Sequence, residues 1–214
     1  MTVKKISLGR LSVNSYMISS DKAAIVIDPG ADSTVLEDFL LNAADKEKLI
    51  LITHCHFDHI AGAQSLRQKT GVKIAISSAE NPLLSDTYVN LSDEFSAGVA
   101  PFSADMLLED MQRFSVGDID FTAYLTPGHT PAGMCFFACG CLFSGDTLFK
   151  GTVGRVDLPR ASAELLYDSL RKINRIFDEN TIVYPGHGEA TDIKTERIFN
   201  PYMSSACGGK YEAL

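Results

Sequence analysis

The sequence lacks the marks of several protein classes. No apolar run approaches the roughly 18 residues that a membrane-spanning helix needs, and the N-terminal segment has no unbroken apolar stretch of the kind found in signal peptides. We therefore expect no membrane association and a cytoplasmic protein. Basic residues number 19 against 27 acidic ones, for a formal charge of −8, which argues against a broad nucleic-acid surface.

The sequence also lacks the cysteine spacing of a disulfide framework. Its cysteines are odd in number and irregularly placed, at Cys55, Cys135, Cys139, Cys141 and Cys207. The closest pair, in Cys-Gly-Cys at 139–141, falls in a predicted hairpin turn and is too tightly spaced for a structural zinc knuckle. All five are expected to be free thiols or to pack in the core.

No linker or low-complexity tract divides the chain, so residues 1–214 are predicted to form a single domain. Short apolar runs that end in turn residues are typical of buried strands, and they occur at 23–30, 49–56, 121–129, 141–146 and 181–187. Apolar residues at helical spacing occupy 34–43, 60–69 and 162–177, the last with Ser162 as N-cap. This interspersion predicts α/β or α+β layers.

The stretch 80–113 breaks this pattern, because it mixes prolines, glycine and asparagines with large apolar residues. We expect an excursion with short helical pieces over one end of the sheet. Two roles stay open for it, a surface connection that covers the core and a lid over a substrate.

The strongest chemical signal is THCHFDHIAG at 53–62, directly after an apolar run. In an extended loop, positions i and i+2 face the same way, so His54 and His56 can bind one cation. Asp58 and His59 suit a second cation beside the first. A single histidine is usually only a hydrogen-bonded polar group, but three histidines and an aspartate within six positions indicate a metal site.

Further candidate ligands follow other predicted strands. His129 and His187 each come after an apolar run through a Pro-Gly turn, which places them at the same edge as His54. Asp146 ends the run 141–146, and its carboxylate can give one oxygen to each of two cations, although a turn or N-cap role would explain it alone. Asp28 is either an acceptor that fixes a ligand imidazole or a plain turn residue.

With His-x-His-x-Asp-His at 54–59 and the later His129, Asp146 and His187 in order, the chain resembles the metallo-β-lactamase superfamily over about residues 14–201. The resemblance implies a four-layer αββα sandwich with metals at one edge. It implies a first metal on His54, His56 and His129, a second on Asp58, His59 and His187, and Asp146 as the bridge.

Within that superfamily, the segments TPGHTPAG and SGDTLFKGTVGRVDLPR look most like short bacterial glyoxalase II enzymes. The resemblance implies a hydrolase with two divalent cations, zinc first and iron or manganese as alternatives. The expected small-molecule substrate is a thioester such as a hydroxyacylglutathione, and Asp58 is the expected catalytic residue because it can orient the attacking hydroxide. β-Lactamases of the main class have a cysteine in place of Asp146, which argues against antibiotic hydrolysis.

Three other functions remain open at this point. One is a lactone hydrolase, and another is a metal-binding module without catalysis. The third is a persulfide dioxygenase, which would use a single iron on the equivalents of His54, His129 and Asp146.

Basic residues gather after Asp146, at Lys150, Arg155 and Arg160. By the resemblance, Arg155 is expected to bind a substrate carboxylate, with Lys150 as a second candidate. Ordinary surface charge is the default interpretation for Lys150 and Arg160.

Overall fold

A computed structural model describes residues 1–206, with side chains to residue 204. Its strands form two six-stranded sheets and one small hairpin. The first sheet has the order β1-β2-β3-β4-β5-β6, with β1 Thr2–Leu8, β2 Val13–Ser19, β3 Ala23–Ile27, β4 Glu47–Leu51, β5 Ile74–Ser77 and β6 Met106–Leu108. Strands β1 to β3 pair antiparallel, and β3 to β6 pair parallel.

The second sheet has the order β14-β13-β10-β9-β8-β7. Its strands are β7 Arg113–Val116, β8 Ile119–Leu125, β9 Met134–Ala138, β10 Cys141–Gly145, β13 Ile182–Pro185 and β14 Thr191–Asp192. Only β10 and β13 pair parallel. The hairpin of β11 Leu148–Phe149 and β12 Thr152–Val153 follows β10.

The described residues also form six α-helices and one 3₁₀-helix. The α-helices are α1 Thr34–Leu41, α2 Phe57–Ile60, α3 Ala63–Thr70, α4 Ala163–Ile176, α5 Ile193–Phe199 and α6 Pro201–Ala206, and the 3₁₀-helix is Asn81–Ser85. The Ser162 hydroxyl caps α4 by accepting a hydrogen bond from the Leu165 N–H, as predicted. Within residues 1–206, no helix has the length and apolar character to cross a bilayer.

The two sheets pack face to face, and their inner faces share one apolar core. It joins Ile25 and Leu51 of the first sheet to Phe121, Phe136 and Phe143 of the second, all of them buried. Strands buried on both faces give near-continuous apolar runs, which is why β3, β4 and β10 were predicted from the sequence. Strand β9, which carries Phe136, was overlooked although it is also apolar.

Helices cover the outer face of each sheet. Leu36 of α1 and Leu66 of α3 belong to a cluster with Ile50 on the first sheet. Leu170 of α4 and Ile193 of α5 belong to another cluster with residues of β10 and β13. The predicted four-layer αββα sandwich is therefore confirmed.

The structure contains all five predicted strands. It also contains strands that were not predicted, and one predicted helix has the wrong bounds. The strands that were not predicted are β1, β2, β5, β6, β7, β9, β14 and the β11–β12 hairpin. Strand β1 alternates between charged and apolar residues, and β6 is only three residues long. The single helix predicted at 60–69 is two helices, α2 and α3, separated at Ala61 and Gly62. An added Cβ on Gly62 would lie 2.2 Å from the Ala31 carbonyl oxygen, so the chain must pass tightly there.

Two predictions reach outside the described part of the chain. The single domain at 1–214 includes residues 207–214, and Cys207 lies among them. Cys55, Cys135, Cys139 and Cys141 are free thiols, as expected.

Candidate metal centre

The site is built on the loop that leaves β4, and Asp28 fixes that loop. Asp28 ends the neighbouring strand β3, and its Oδ1 accepts a hydrogen bond from the Thr53 N–H at 2.7 Å. Its Oδ2 accepts from the Thr53 hydroxyl at 2.7 Å and lies 2.9 Å from His59 Nδ1. One buried carboxylate therefore ties the start of the histidine segment to an imidazole in α2.

Three imidazoles form the first candidate ligand group. His54, His56 and His129 are all buried, and each offers a ligand atom within 4.8 Å of the others. His56 Nδ1 and His129 Nε2 are 2.9 Å apart. The loop after β4 and the Pro-Gly turn after β8 thus meet although 73 residues separate them.

A second group lies beside the first. Asp58, His59 and His187 bring their ligand atoms within 4.8 Å of one another. Asp58 Oδ2 lies 3.1 Å from His187 Nε2 and 3.7 Å from His59 Nε2. Unlike the other histidines, which lie in loops, His59 is held in the short helix α2.

Asp146 lies between the two groups. Its Oδ1 is 3.4 Å from His59 Nε2, and its Oδ2 is 3.4 Å from His129 Nε2 and 3.7 Å from His187 Nε2. One oxygen therefore faces an imidazole of the second group while the other faces imidazoles of both groups, an arrangement that suits a carboxylate shared by two cations.

Hydrogen bonds orient three of the imidazoles. The Thr53 hydroxyl gives its proton to Asp28, so it accepts from His54 Nδ1, 3.0 Å away. His129 Nδ1 donates to the Arg155 carbonyl oxygen at 2.8 Å. Together with the contact of His59 Nδ1 on Asp28, these bonds hold a proton on each Nδ1, so that Nε2 is the atom through which each of these rings can bind a metal ion.

Burial and repulsion between neighbouring imidazoles keep His54 and His56 neutral. Burial and the neighbouring His59 hold the pKa of His54 well below its usual value. Burial and His129 lower the pKa of His56 to about 3. For Asp146, burial opposes ionisation, but the charges of His59 and His129 outweigh it and lower the pKa. His54 and His56 thus have the neutral state that metal binding requires. For His59, burial favours the neutral ring, but the charges of Asp146 and Asp58 outweigh it and raise the pKa well above its usual value, so His59 must release a proton when a cation binds.

The residues fit divalent cations. Among the residues the structure describes, the buried atoms His54 Nε2, His56 Nε2, His59 Nε2 and Asp146 Oδ1 have no hydrogen-bond partner. A buried polar atom without a partner costs roughly 1–3 kcal/mol, so four of them in one place indicate coordination to an ion. Imidazole and carboxylate donors suit zinc, iron and manganese. Cys55 is a buried neighbour of these ligands, and burial raises the pKa of its thiol well above the usual value, which disfavours a thiolate ligand.

The predicted basic residues lie outside this cluster and all have carboxylate partners. A cleft lined by His56, Asp58, Asp146 and His187 opens beside the site, and Arg155 also lines it. The Arg155 Nε and Nη2 donate to Asp157 at 2.7 and 2.8 Å. Lys150 is not among the cleft-lining residues and pairs with Glu189. Arg160 Nη2 is 3.8 Å from Asp86.

Glu80 is a part of the site that the sequence analysis missed. It is fully buried, and its two oxygens accept hydrogen bonds from the Cys55 N–H at 3.0 Å and the Ala132 N–H at 2.9 Å. It therefore joins the loop that carries His54 and His56 to the loop that carries His129. Its position in an irregular segment, between Ala79 and Asn81, gives no periodic signal, and its sequence neighbours do not mark it as buried.

We expect Glu80→Ala to lower both stability and metal affinity. Two buried N–H groups would lose their acceptor, at a cost of about 1–3 kcal/mol each. Urea unfolding and a competitive zinc titration measure the two effects, with Glu80→Gln intermediate because its amide keeps one acceptor oxygen. The exposed Glu109→Ala serves as control. An unfolding midpoint and a zinc affinity equal to those of the unchanged protein would contradict the role of Glu80 in holding the two ligand loops together.

Fold and site together define an αββα protein with a histidine–aspartate centre for divalent cations. The family model of the metallo-beta-lactamase superfamily matches residues 8–187. A curated relative, "Probable metallo-hydrolase YqgX" of Bacillus subtilis, is 30% identical over 95% of this chain and 98% of its own length. The chain belongs to the metallo-β-lactamase superfamily, as the sequence motif predicted.

Other similarities bear on function. The "Hydroxyacylglutathione hydrolase GloC" of Haemophilus influenzae is 30% identical over 96% of this chain and 99% of its own. Among solved structures, the BLEG-1 B3 metallo-beta-lactamase has a TM-score of 0.86 at 33% identity, covering 95% of this chain and all of its own. TTHA1623 in a di-iron-bound form has a TM-score of 0.82 at 29% identity, with coverages of 93% and 99%. ETHE1 from Myxococcus xanthus has a TM-score of 0.78 at 25% identity, and the match covers 96% of this chain and 85% of its own.

Proposed function

We propose that this metallo-hydrolase cleaves thioesters, such as a hydroxyacylglutathione, at a two-cation site. The observation that carries the proposal is the pair of ligand groups with Asp146 between them. His54, His56 and His129 would hold one cation, Asp58, His59 and His187 the other, and Asp146 would contact both. The similarity to GloC supports the choice of a thioester.

When bound, two divalent cations supply Lewis-acid polarisation of a carbonyl and a lowered pKa of water. The protein supplies orientation. Asp58 lines the cleft, and its Oδ2 lies beside His187 Nε2. The Asp58 carboxylate can accept a hydrogen bond from an attacking water and so direct the lone pair of the water oxygen towards the substrate. A thiol leaving group is a weak base, so little acid catalysis is needed to release it.

A single-iron oxygenase is the second candidate, and the di-iron form of TTHA1623 makes iron relevant. An enzyme of that kind would use His54, His129 and Asp146. It would leave a complete second ligand group without a role, which favours the hydrolase.

Metal analysis with a substrate panel tests the proposal. The protein, purified without added chelator, is analysed for metals and then assayed with lactoylglutathione, a homoserine lactone, a chromogenic cephalosporin and glutathione persulfide. We expect two divalent cations per chain and thiol release from the thioester. One iron per chain with sulfite formation, or preferred hydrolysis of the lactone or cephalosporin, would overturn it. Failure to bind any divalent metal would indicate a non-catalytic module.

The proposed role of Arg155 gives a further prediction. If its guanidinium leaves Asp157 to bind a substrate carboxylate, Arg155→Ala should raise KM for lactoylglutathione about two- to fivefold with kcat unchanged, because exposed ion pairs are weak. Lys150→Ala tests the second predicted contact in the same assay, and Arg160→Ala is the control. Unchanged KM for every acidic thioester tried would remove Arg155 from substrate binding.

A further inference from the structure

A cleft of about 330 Å³ opens onto the candidate metal centre. Asp58, Asp146 and His187 are among its lining residues, and seven apolar side chains form most of the remaining lining: Leu11, Phe57, Leu91, Phe95, Phe149, Val153 and Leu158. A cleft of this size matches the lower end of small-molecule sites. Whatever group is bound next to the metals therefore meets a mainly apolar surface.

The apolar lining is structurally fixed. Phe57, which directly follows His56, stacks on Phe95 with ring centroids 4.8 Å apart. Arg10 Nη1 donates to the Phe95 carbonyl oxygen at 3.0 Å, which ties this part of the 80–113 excursion to the β1–β2 turn. The excursion therefore forms a wall of the cleft.

Leu91 shows that this wall constrains the backbone. Its φ is +65°, a left-handed conformation that leucine rarely adopts, yet its side chain is buried and lines the cleft. Strain of this kind persists only where surrounding structure imposes it, and it is concentrated at ligand sites.

The charges at the cleft do not favour a strongly anionic ligand. Apart from the metal-centre residues, Arg155 and Glu94 are its charged lining residues. Arg155 already binds Asp157 in a bidentate pair, and Glu94 is close enough to act on its guanidinium electrostatically. Away from the metal centre, two carboxylates thus offset one cation, so this part of the cleft adds little net attraction for a second anion.

We propose that the cleft selects thioesters by an apolar acyl chain, with the scissile carbonyl at the metal centre and the chain along Phe57, Phe95 and Leu158. This inference rests on the proposed hydrolase function and names its substrate class. Burying one methylene is worth about 0.8 kcal/mol, or roughly fourfold. Hexanoyl thioesters should therefore have a kcat/KM at least about tenfold above acetyl thioesters.

The test uses S-acyl N-acetylcysteamine thioesters from acetyl to octanoyl, with lactoylglutathione alongside. Their thiol carrier is uncharged, so chain length is compared without any contribution from Arg155. We expect kcat/KM to rise with chain length up to hexanoyl and the hexanoyl compound to exceed lactoylglutathione.

Variants then locate the effect. Phe95→Ala should lower the ratio of hexanoyl to acetyl kcat/KM about fivefold, because part of the chain's apolar contact is lost. Tyr88→Ala is the matched control, since Tyr88 is an aromatic residue of the same segment that is 71% exposed and is not among the cleft-lining residues. Leu158→Ala tests the cleft from a separate segment and should lower the same ratio if Phe95→Ala does not fold.

The outcomes separate this inference from the proposed function. Thioester hydrolysis without dependence on chain length, or with lactoylglutathione preferred, would refute apolar acyl selection and leave the hydrolase intact. No hydrolysis of any thioester by the protein loaded with two zinc ions would refute the proposed function as well. An unchanged hexanoyl-to-acetyl ratio in both Phe95→Ala and Leu158→Ala would remove the cleft as its cause.

Discussion

Replacing Asp146 by asparagine is expected to lower kcat/KM for thioesters more than ~100-fold and to reduce the bound metal from two ions per chain to one or none. Loss of groups that merely support metal ligands already costs about 10–100-fold. Asp146 faces both ligand groups, with its oxygens 3.4 Å from His59 Nε2 and from His129 Nε2. Asparagine keeps the size of the side chain and removes its negative charge and one acceptor oxygen.

Metal content and steady-state kinetics on the same preparation measure both parts of this expectation. Asp45→Asn removes the same charge from an exposed position and is expected to change neither quantity. Circular dichroism shows whether the Asp146 variant is folded. Two ions per chain with undiminished thioester hydrolysis would show that Asp146 bridges nothing.

Replacing Gly186 by alanine should lower activity about 100-fold although glycine carries no chemical group, since misplacing a reacting group by 1 Å can have that effect. A Cβ at this position would lie 2.2 Å from Asp146 Oδ1 and 2.7 Å from His59 Cε1. Both distances are far inside van der Waals contact, so the carboxylate or the imidazole must move. The added methyl group therefore acts on the metal centre through position alone.

Gly188→Ala is the matched control on the other side of His187. A Cβ there meets nothing within 4 Å, but φ is +78°, so the substitution costs backbone strain of about 1–2 kcal/mol without crowding the site. We expect a lower melting temperature with activity and metal content retained. Equal losses of activity in the two variants would show that backbone disturbance near His187, and not displacement of Asp146, explains the effect.

Much of the fold could be predicted because its signals are local. The strands around Ile25, Leu51 and Phe143 are buried on both faces, so each gives a continuous apolar run that ends at a turn. The motif at 54–59 and the Pro-Gly turns before His129 and His187 are also local, and each marks a side chain at the end of a strand. Strands β1 and β6 escaped prediction because pairing with a neighbouring strand, not their own composition, makes them strands.

The sequence by itself therefore determined the layered fold and the side chains available for metal binding, because period, turn chemistry and residue type act over a few positions. Only the tertiary structure decided which of them meet. The pairing of Asp28 with His59, the hydrogen bonds of Glu80 to two ligand loops, and the stacking of Phe57 on Phe95 join residues 25 to 52 positions apart in the chain. Contacts of that range are set by the packing of the two sheets. The candidate metal centre could therefore be predicted from the residue types of its candidate ligands, while the apolar cleft beside it became visible only in the folded chain.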